Sequence, residues 1–182
     1  MKTLTLLAVA LVSWAGLVGC TTTQPPNASA GTGVLLSPQD EAAVRATVAE
    51  FVNTWNHHDM EGMRELVTED VLWINFIGNI WRGKAEVYKF HDMLHRTRTP
   101  VRPLSTEKME VRSLAPQVAV ATAKMKFGQG LSLFGQEGPE FHTRDSFVMA
   151  KRGGAWKIVH FHSTILHPNV AAHDRPDFGV TK

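Results

Sequence analysis

The sequence predicts an α+β domain, and three observations carry that reading. Residues 37–58 place apolar side chains at helical spacing, residues 103–166 hold four long strand-like runs separated by turn residues, and the two patterns are segregated along the chain, helices first. Strands joined by short turns pair antiparallel, and a curved sheet of them wrapped against a long helix closes into a cone with a pocket at its mouth. A chain of 182 residues with 43% hydrophobic side chains suits one such domain plus accessory segments.

The amino end is one of those segments. MKTLTLLAVALVSWAGLVGC carries one early cation, Lys2, and an apolar run from Leu4 to Val18 that is short for a membrane span and reads as an export signal. The run closes on Leu17-Val18-Gly19-Cys20, which resembles a bacterial lipobox. That resemblance implies a lipoprotein signal peptide over residues 1–19 and a lipidated Cys20 anchoring the mature protein to the membrane. Thr21 after the cysteine implies sorting to the outer membrane, facing the periplasm. A cleavage site at Ala28-Ser29-Ala30 lies too far beyond the apolar run to compete. Cys20 is the only cysteine, so once lipidated it leaves no thiol for a disulfide, a zinc cluster or nucleophilic catalysis. Residues 20–36, rich in Thr, Pro, Ala, Gly and Ser, read as a flexible tether.

The domain is expected over residues 37–168. Ser37 is a good N-cap, Pro38 suits the first helical position, and Asp40 favours the positive end of the helix dipole. Val44, Val48, Phe51, Val52 and Trp55 then form one apolar face that ends near His57-His58. Asp59 caps a second, short helix in which Met60, Met63, Leu66 and Val67 share a side, and VLWINFIGNIW, from Val71, is β-rich. Gly83 opens a third helix, KAEVYKFHDMLHR, with Val87, Phe90, His91 and Leu94 inward; Pro100 and Pro103 stop it. Strands are expected near 103–113, 117–127, 141–151 and 155–166. Ala115-Pro116, a glycine-rich excursion GQGLSLFGQEGP and Arg152-Gly153-Gly154 divide them. Residues 169–182 read as a polar tail, with His167 and His173 in solvent.

Charge excludes one class of partner. The formal net charge is +2, with 19 basic and 17 acidic side chains interspersed, which leaves no basic stripe for nucleic acid. No glycine-rich dinucleotide motif and no redox cysteine are present, so no cofactor is expected.

In element order and local motifs the chain resembles the nuclear transport factor 2-like superfamily, the cone-shaped, cystatin-like fold of ketosteroid isomerases and SnoaL-like polyketide cyclases. FVNTWNHHDMEGMRELVTEDVLW is similar to its first helix, Asn-x-x-Asp turn, second helix and first-strand start. GNIWRGKAEVYKFH and AWKIVHFHST are similar to the association domain of calcium/calmodulin-dependent protein kinase II and to SgcJ/EcaC-type proteins. The likeness spans about residues 40–166 and implies three helices packed on a curved, mostly antiparallel sheet.

What the resemblance implies for the site is mixed. Ketosteroid isomerases use a carboxylate base, a tyrosine and a protonated aspartic acid. The matching positions here hold Asn75, Phe51 and Asp145, and an amide takes no proton at neutral pH while Phe51 has no hydroxyl. Alternation independently sets Phe141, Thr143, Asp145, Phe147 and Met149 on one strand face, where Asp145 is either desolvated in a pocket or paired at the sheet edge. The association domain's pocket arginines fall on Phe147 and Ser163. The expected pocket lining is therefore Phe51, Trp55, Trp73, Asn75, Asp145, Phe147, Phe161 and Ser163, apolar with a few polar points, as suits a small hydrophobic ligand.

Histidines offer a rival. His91 and His95 stand four apart on a helix, a spacing that lets two imidazoles share a metal, but without a further acidic ligand the pair reads as one core-facing and one solvated ring, and no metal is expected. Strict alternation puts Trp156, Ile158, His160 and His162 on one strand face and Val159, Phe161, Ser163 and Ile165 on the other; the family resemblance turns the Phe161 set inward and the histidines onto an outer dimerisation face. The expectation is an envelope lipoprotein, a homodimer, that binds a small apolar molecule. The alternatives are an enzyme that uses Asp145 as acid or base with Asn75 orienting the substrate, and a self-association hub.

Overall fold

The computed structural model describes residues 36–97, 101–131 and 135–173, all within one compact unit, Thr32–Lys182. The signal segment, Cys20, the tether up to residue 35, Pro100 and residues 174–182 lie outside the described residues. Helices α1 (Pro38–Asn56), α2 (Met60–Glu65) and α3 (Lys84–Thr97) enclose the short strands β1 (Val67–Ile74) and β2 (Ile80–Arg82). Then follow β3 (Leu104–Ala115), β4 (Val118–Phe127), β5 (Gly130–Leu131), β6 (Glu137–Gly138), β7 (Phe141–Arg152), β8 (Ala155–Ile165) and α4 (Pro168–His173). The fold is α+β, with six strands in the order β2-β1-β8-β7-β4-β3; only β1 and β8 run parallel, and β5 and β6 make a separate ribbon.

Local chemistry fixes the helix ends. Ser37 Oγ accepts from the Asp40 amide at 3.0 Å and donates to Asp40 Oδ2 at 2.9 Å, while Asp40 Oδ1 accepts from Lys151 Nζ at 2.7 Å and Trp156 Nε1 at 2.9 Å. Those donors, Lys151 foremost, hold the Asp40 carboxyl down at about 2 and pin the start of α1 to the β7–β8 end of the sheet. At the other end of α1, Asn56 exchanges two 2.8 Å bonds with the backbone of Leu104, and Trp55 Nε1 donates to Arg102 O at 2.8 Å. Asp59 caps α2 by accepting from the Gly62 amide at 2.8 Å. Gly83, at φ +81°, takes the left-handed turn into α3.

Inside the cone, α1 lays Val44, Val48, Phe51 and Trp55 against the inner face of the sheet. Ala121 and Ala123 on β4 pair with Phe147 and Asp145 on β7, so small side chains stand beside a ring and a carboxyl. Arg102, only 7% exposed, donates to the carbonyls of Gly128, Leu131 and Pro139 and thereby ties the β5–β6 ribbon to the start of β3. Among the described residues no helix is long and apolar enough to cross a membrane.

Three expectations are corrected. Val67 does not belong to the second helix: α2 stops at Glu65 and Val67 opens β1, buried, four residues ahead of the expected strand. His95 is not solvated but 6% exposed. The expected polar tail is not contradicted: its first residues form α4, whose Ala171 carbonyl accepts from Lys124 Nζ at 2.6 Å. Alternation along β8 fails because of a β-bulge: His160 pairs with Val148 and Ile158 with Met149, which leaves Val159 as an extra residue. The face therefore changes hands at Val159, so Trp156 and Ile158 are buried below the bulge and Phe161 and Ser163 above it.

Candidate functional site

Phe51, one turn before Trp55 on α1, reaches the middle of the cone, where its ring meets Trp73 of β1, Phe147 of β7 and Phe161 of β8 at centroid distances of 5.8, 5.5 and 6.0 Å. Trp73 and Phe161 sit on the parallel pair β1–β8 in direct register and stack at 4.0 Å. These rings fill most of the cone. What remains is a cavity of ≈ 40 Å³, room for about three water molecules. Phe51, Trp55, Trp73, Asn75, Asp145, Phe161 and Ser163 line it, as do Phe76, Phe90, His91, Leu94 and Phe127. Phe147 does not line the cavity. It is fully buried behind Phe51 and Phe161, against which its ring packs edge-on, and so belongs to the core.

The acid of the site is Asp145, 1% exposed, with Ser163 opposite it on β8 donating Oγ to Oδ1 at 2.6 Å. Burial pushes the carboxyl up from 3.8 to about 6, against the opposing pull of Ser163 and, more weakly, of Thr143, whose buried Oγ1 falls short of hydrogen-bond geometry. Asp145 is thus neither paired with a cation nor held protonated at neutral pH; it is mostly carboxylate at pH 7 and mostly acid below 6.

Asn75 caps the turn after β1: Oδ1 accepts from the amides of Ile77 at 3.2 Å and Asn79 at 2.9 Å. Two backbone donors fix which end of the side chain is oxygen, so what Asn75, a cavity-lining residue, still has to offer is its NH₂. His91 enters from α3. Its Nδ1 lies 2.8 Å from the Val87 carbonyl, which can only accept, so the ring proton sits on Nδ1 and Nε2 is an acceptor. Burial lowers this histidine to about 4 and keeps it neutral. One turn on, His95 packs edge-on to Trp55 at 4.7 Å and its Nδ1 lies 2.9 Å from His58 Nδ1. Burial, then the neighbouring His58 and His91, lowers His95 to about 4. Among the described residues no three His, Cys, Asp or Glu side chains converge as a metal site would require.

The histidines of β8 lie on the other side of the sheet, His160 half-buried and His162 exposed. Leu72, His160, Val148 and Val120 form one row in register across β1, β8, β7 and β4.

A family model for the SnoaL-like domain matches residues 44–168. The chain belongs to the SnoaL-like domain family. Solved structures share its nuclear transport factor 2-like, cystatin-like fold. A protein with a cystatin-like fold from Caulobacter vibrioides is 26% identical, with a TM-score of 0.68 over 75% of this chain and 96% of that one. A ketosteroid isomerase-like protein from Erwinia carotovora atroseptica is 13% identical, TM-score 0.60, covering 72% and 100%. A structure from Xanthomonas campestris resembling the calcium/calmodulin dependent protein kinase II association domain is 17% identical, TM-score 0.56, covering 75% and 95%. Among curated proteins no relative matches the chain.

Within this SnoaL-like domain the polar groups that face the cavity are Asp145, Ser163, Asn75 and His91. Sequence reasoning reached the first three and missed the role of His91, whose spacing from His95 drew attention to metals instead. Its signal was available: His91 is the one polar residue on the inward stripe Val87, Phe90, His91 and Leu94.

Proposed function

We propose that the chain is a lipid-anchored envelope protein whose SnoaL-like domain takes a small, largely apolar molecule into the cone by a hydroxyl or similar hydrogen-bond donor. The observation that carries this is the polar inventory of the cavity. Two acceptors, the Asp145 carboxylate and His91 Nε2, and one donor, the Asn75 NH₂, stand in an otherwise aromatic wall. Acceptors in an apolar wall reward a ligand that donates to them, so a ligand that carries a donor is favoured over a pure hydrocarbon. The anchor rests on the lipobox-like Leu17-Val18-Gly19-Cys20 and the outer-membrane address on Thr21. The test is mass spectrometry of small molecules extracted from the purified domain, residues 36–182. A hydroxylated apolar compound is expected; a domain that carries nothing and shows no thermal shift with a panel of phenols and alicyclic alcohols would overturn the reading.

A second reading, an enzyme, is favoured by one feature: a buried carboxylate that titrates at about 6, near the working pH a general base needs. Asp145 would take a proton from the substrate while the Asn75 NH₂ orients a carbonyl. If Asp145→Asn leaves turnover of an identified substrate intact, that reading is removed.

Pairing of two copies is the remaining part of the proposal, supported by the apolar row Leu72, Val148 and Val120 around His160 on the outer face of the sheet. Burial and the neighbouring His162 lower His160, so protonating it in a closed interface opposes assembly. Light scattering at pH 7 is expected to give twice the chain mass and less at pH 5; a monomer at both would remove pairing.

A further inference from the structure

The domain has two hollows that share a wall. Outside the cavity, between β2 and α3, lies a groove of ≈ 270 Å³ lined by Trp81, Glu86, Lys89, Phe90 and Met93. Phe90 lines both spaces. Its ring lies flat on Trp81, centroids 4.0 Å apart at 27°, and edge-on to His91 at 5.2 Å. The inner cavity, at ≈ 40 Å³, is far below the several hundred Å³ of an ordinary small-molecule site; the groove supplies the missing volume with the same apolar character. Phe90 is the one residue common to the two linings. Phe90 is half-buried on α3, and half-buried side chains exchange rotamers without backbone movement, a motion that would take its ring off Trp81. Met93, 46% exposed at the groove's edge, offers an adaptable apolar rim, and Lys89 and Glu86 keep the outer end wet.

We propose that groove and cavity are two compartments of one binding site and that Phe90 is the door between them. The occupant is an elongated molecule: an aromatic ring takes Phe90's place against Trp81, a donor reaches inward to Asp145, and a polar outer end stays in solvent beside Lys89 and Glu86. This rests on the ligand-binding reading above.

The test uses N-phenyl-1-naphthylamine, a two-part aromatic whose fluorescence rises on burial and whose bridging N–H is a donor, mixed in a stopped flow with residues 36–182. That segment holds the whole core. Because access that waits on a conformational change slows association, Phe90→Ala is expected to raise the association rate about tenfold or more, and the larger Phe90→Trp to lower it by a similar factor. Leu94→Ala enlarges the inner cavity without touching the Trp81 stack and is expected to change affinity through dissociation alone. Phe90→Leu, a milder change at a half-buried position, keeps the series usable if the alanine variant folds poorly, and is expected to fall between wild type and alanine. Equal association rates across the Phe90 series, with binding retained, overturn the door and leave the ligand reading standing. Failure of the probe to bind wild type or any variant overturns the ligand reading and the door together.

Discussion

Replacing Asp145 by Asn removes a charge from the cone while keeping its shape, and the consequence for stability is set by the pH. Burial holds the folded carboxyl at about 6 against an ordinary 3.8. Between those values the folded state binds more protons than the unfolded one, so stability falls as pH rises from about 4 to about 6 and is flat on either side. At about 1.4 kcal/mol for each tenfold change in proton affinity, ionising Asp145 inside the cone costs about 3 kcal/mol at pH 8 and nothing at pH 4. A neutral amide in its place avoids that cost. Ser163 still has an amide oxygen to donate to, while the new NH₂ group needs a partner in the cavity and gives back about 1 kcal/mol.

The expected result is that Asp145→Asn lies about 1 kcal/mol below wild type near pH 4 and exceeds it by about 2 kcal/mol at pH 8, which is a rise of about 1 M in the urea midpoint at pH 8 for an m-value near 2 kcal/mol/M. Urea unfolding of both proteins at pH 4, 5, 6, 7 and 8 measures this directly. Taking the difference between the two matters, because the buried histidines titrate in the same range with opposite sign and cancel. A difference that stays constant from pH 4 to pH 8, or a variant weaker than wild type at pH 8, would refute the claim that desolvation dominates at Asp145.

The histidine contribution can be isolated in turn. His91 is lowered from 6.5 to about 4, so the stability tied to its neutral ring is complete above 6.5 and is lost as pH falls through 4, about 3 kcal/mol in all; His91→Gln should flatten the acid side of a urea-midpoint profile between pH 6.5 and 4. Phe147 is fully buried behind Phe51 and Phe161, so Phe147→Ala should cost about 3–5 kcal/mol by chemical denaturation while leaving the cavity's polar groups in place. Deleting Val159 removes the extra residue of β8 and leaves the pairings on either side as they are; Ile158 and Phe161 then stand two positions apart, so Trp156, Ile158, Phe161 and Ser163 all face inward in unbroken alternation. A cooperative urea transition within about 2 kcal/mol of wild type is expected, and a variant without one would show that the bend made by the bulge, and not only its parity, is needed to close the cone.

That last position shows where sequence reasoning reaches and where it stops. The start of α1 is legible because Ser37, Pro38 and Asp40 act within one turn, and the strand ends at Ala115-Pro116 and Arg152-Gly153-Gly154 are legible because turn chemistry is local. Asp145 could be placed on the inner face because alternation along β7 runs unbroken from Thr143 to Met149. Whether it was desolvated or paired could not be read, since that depends on Ser163, Ala123 and Phe51 from three other elements. His95 escaped for the same reason. Its partner, His58, projects from a left-handed residue at φ 59°, a conformation that no i, i+4 spacing reveals.

The bulge is decided between strands, by the pairing of Val148 with His160 and of Met149 with Ile158. Nothing in Ile158-Val159 distinguishes the paired residue from the extra one, since both are β-branched and apolar. Yet the chemistry of the site hangs on it. Were β8 to alternate strictly while keeping Trp156 and Ile158 in the core, His160 and His162 would point inward and an imidazole would face the strand position of Asp145. One inserted residue instead sets Ser163 opposite Asp145, at 2.6 Å, and sends both histidines to the outer face. A neutral hydroxyl leaves the carboxyl raised at about 6, where an imidazolium would draw it down. The acid–base character of the cavity is therefore a property of strand register as much as of the residues that line it.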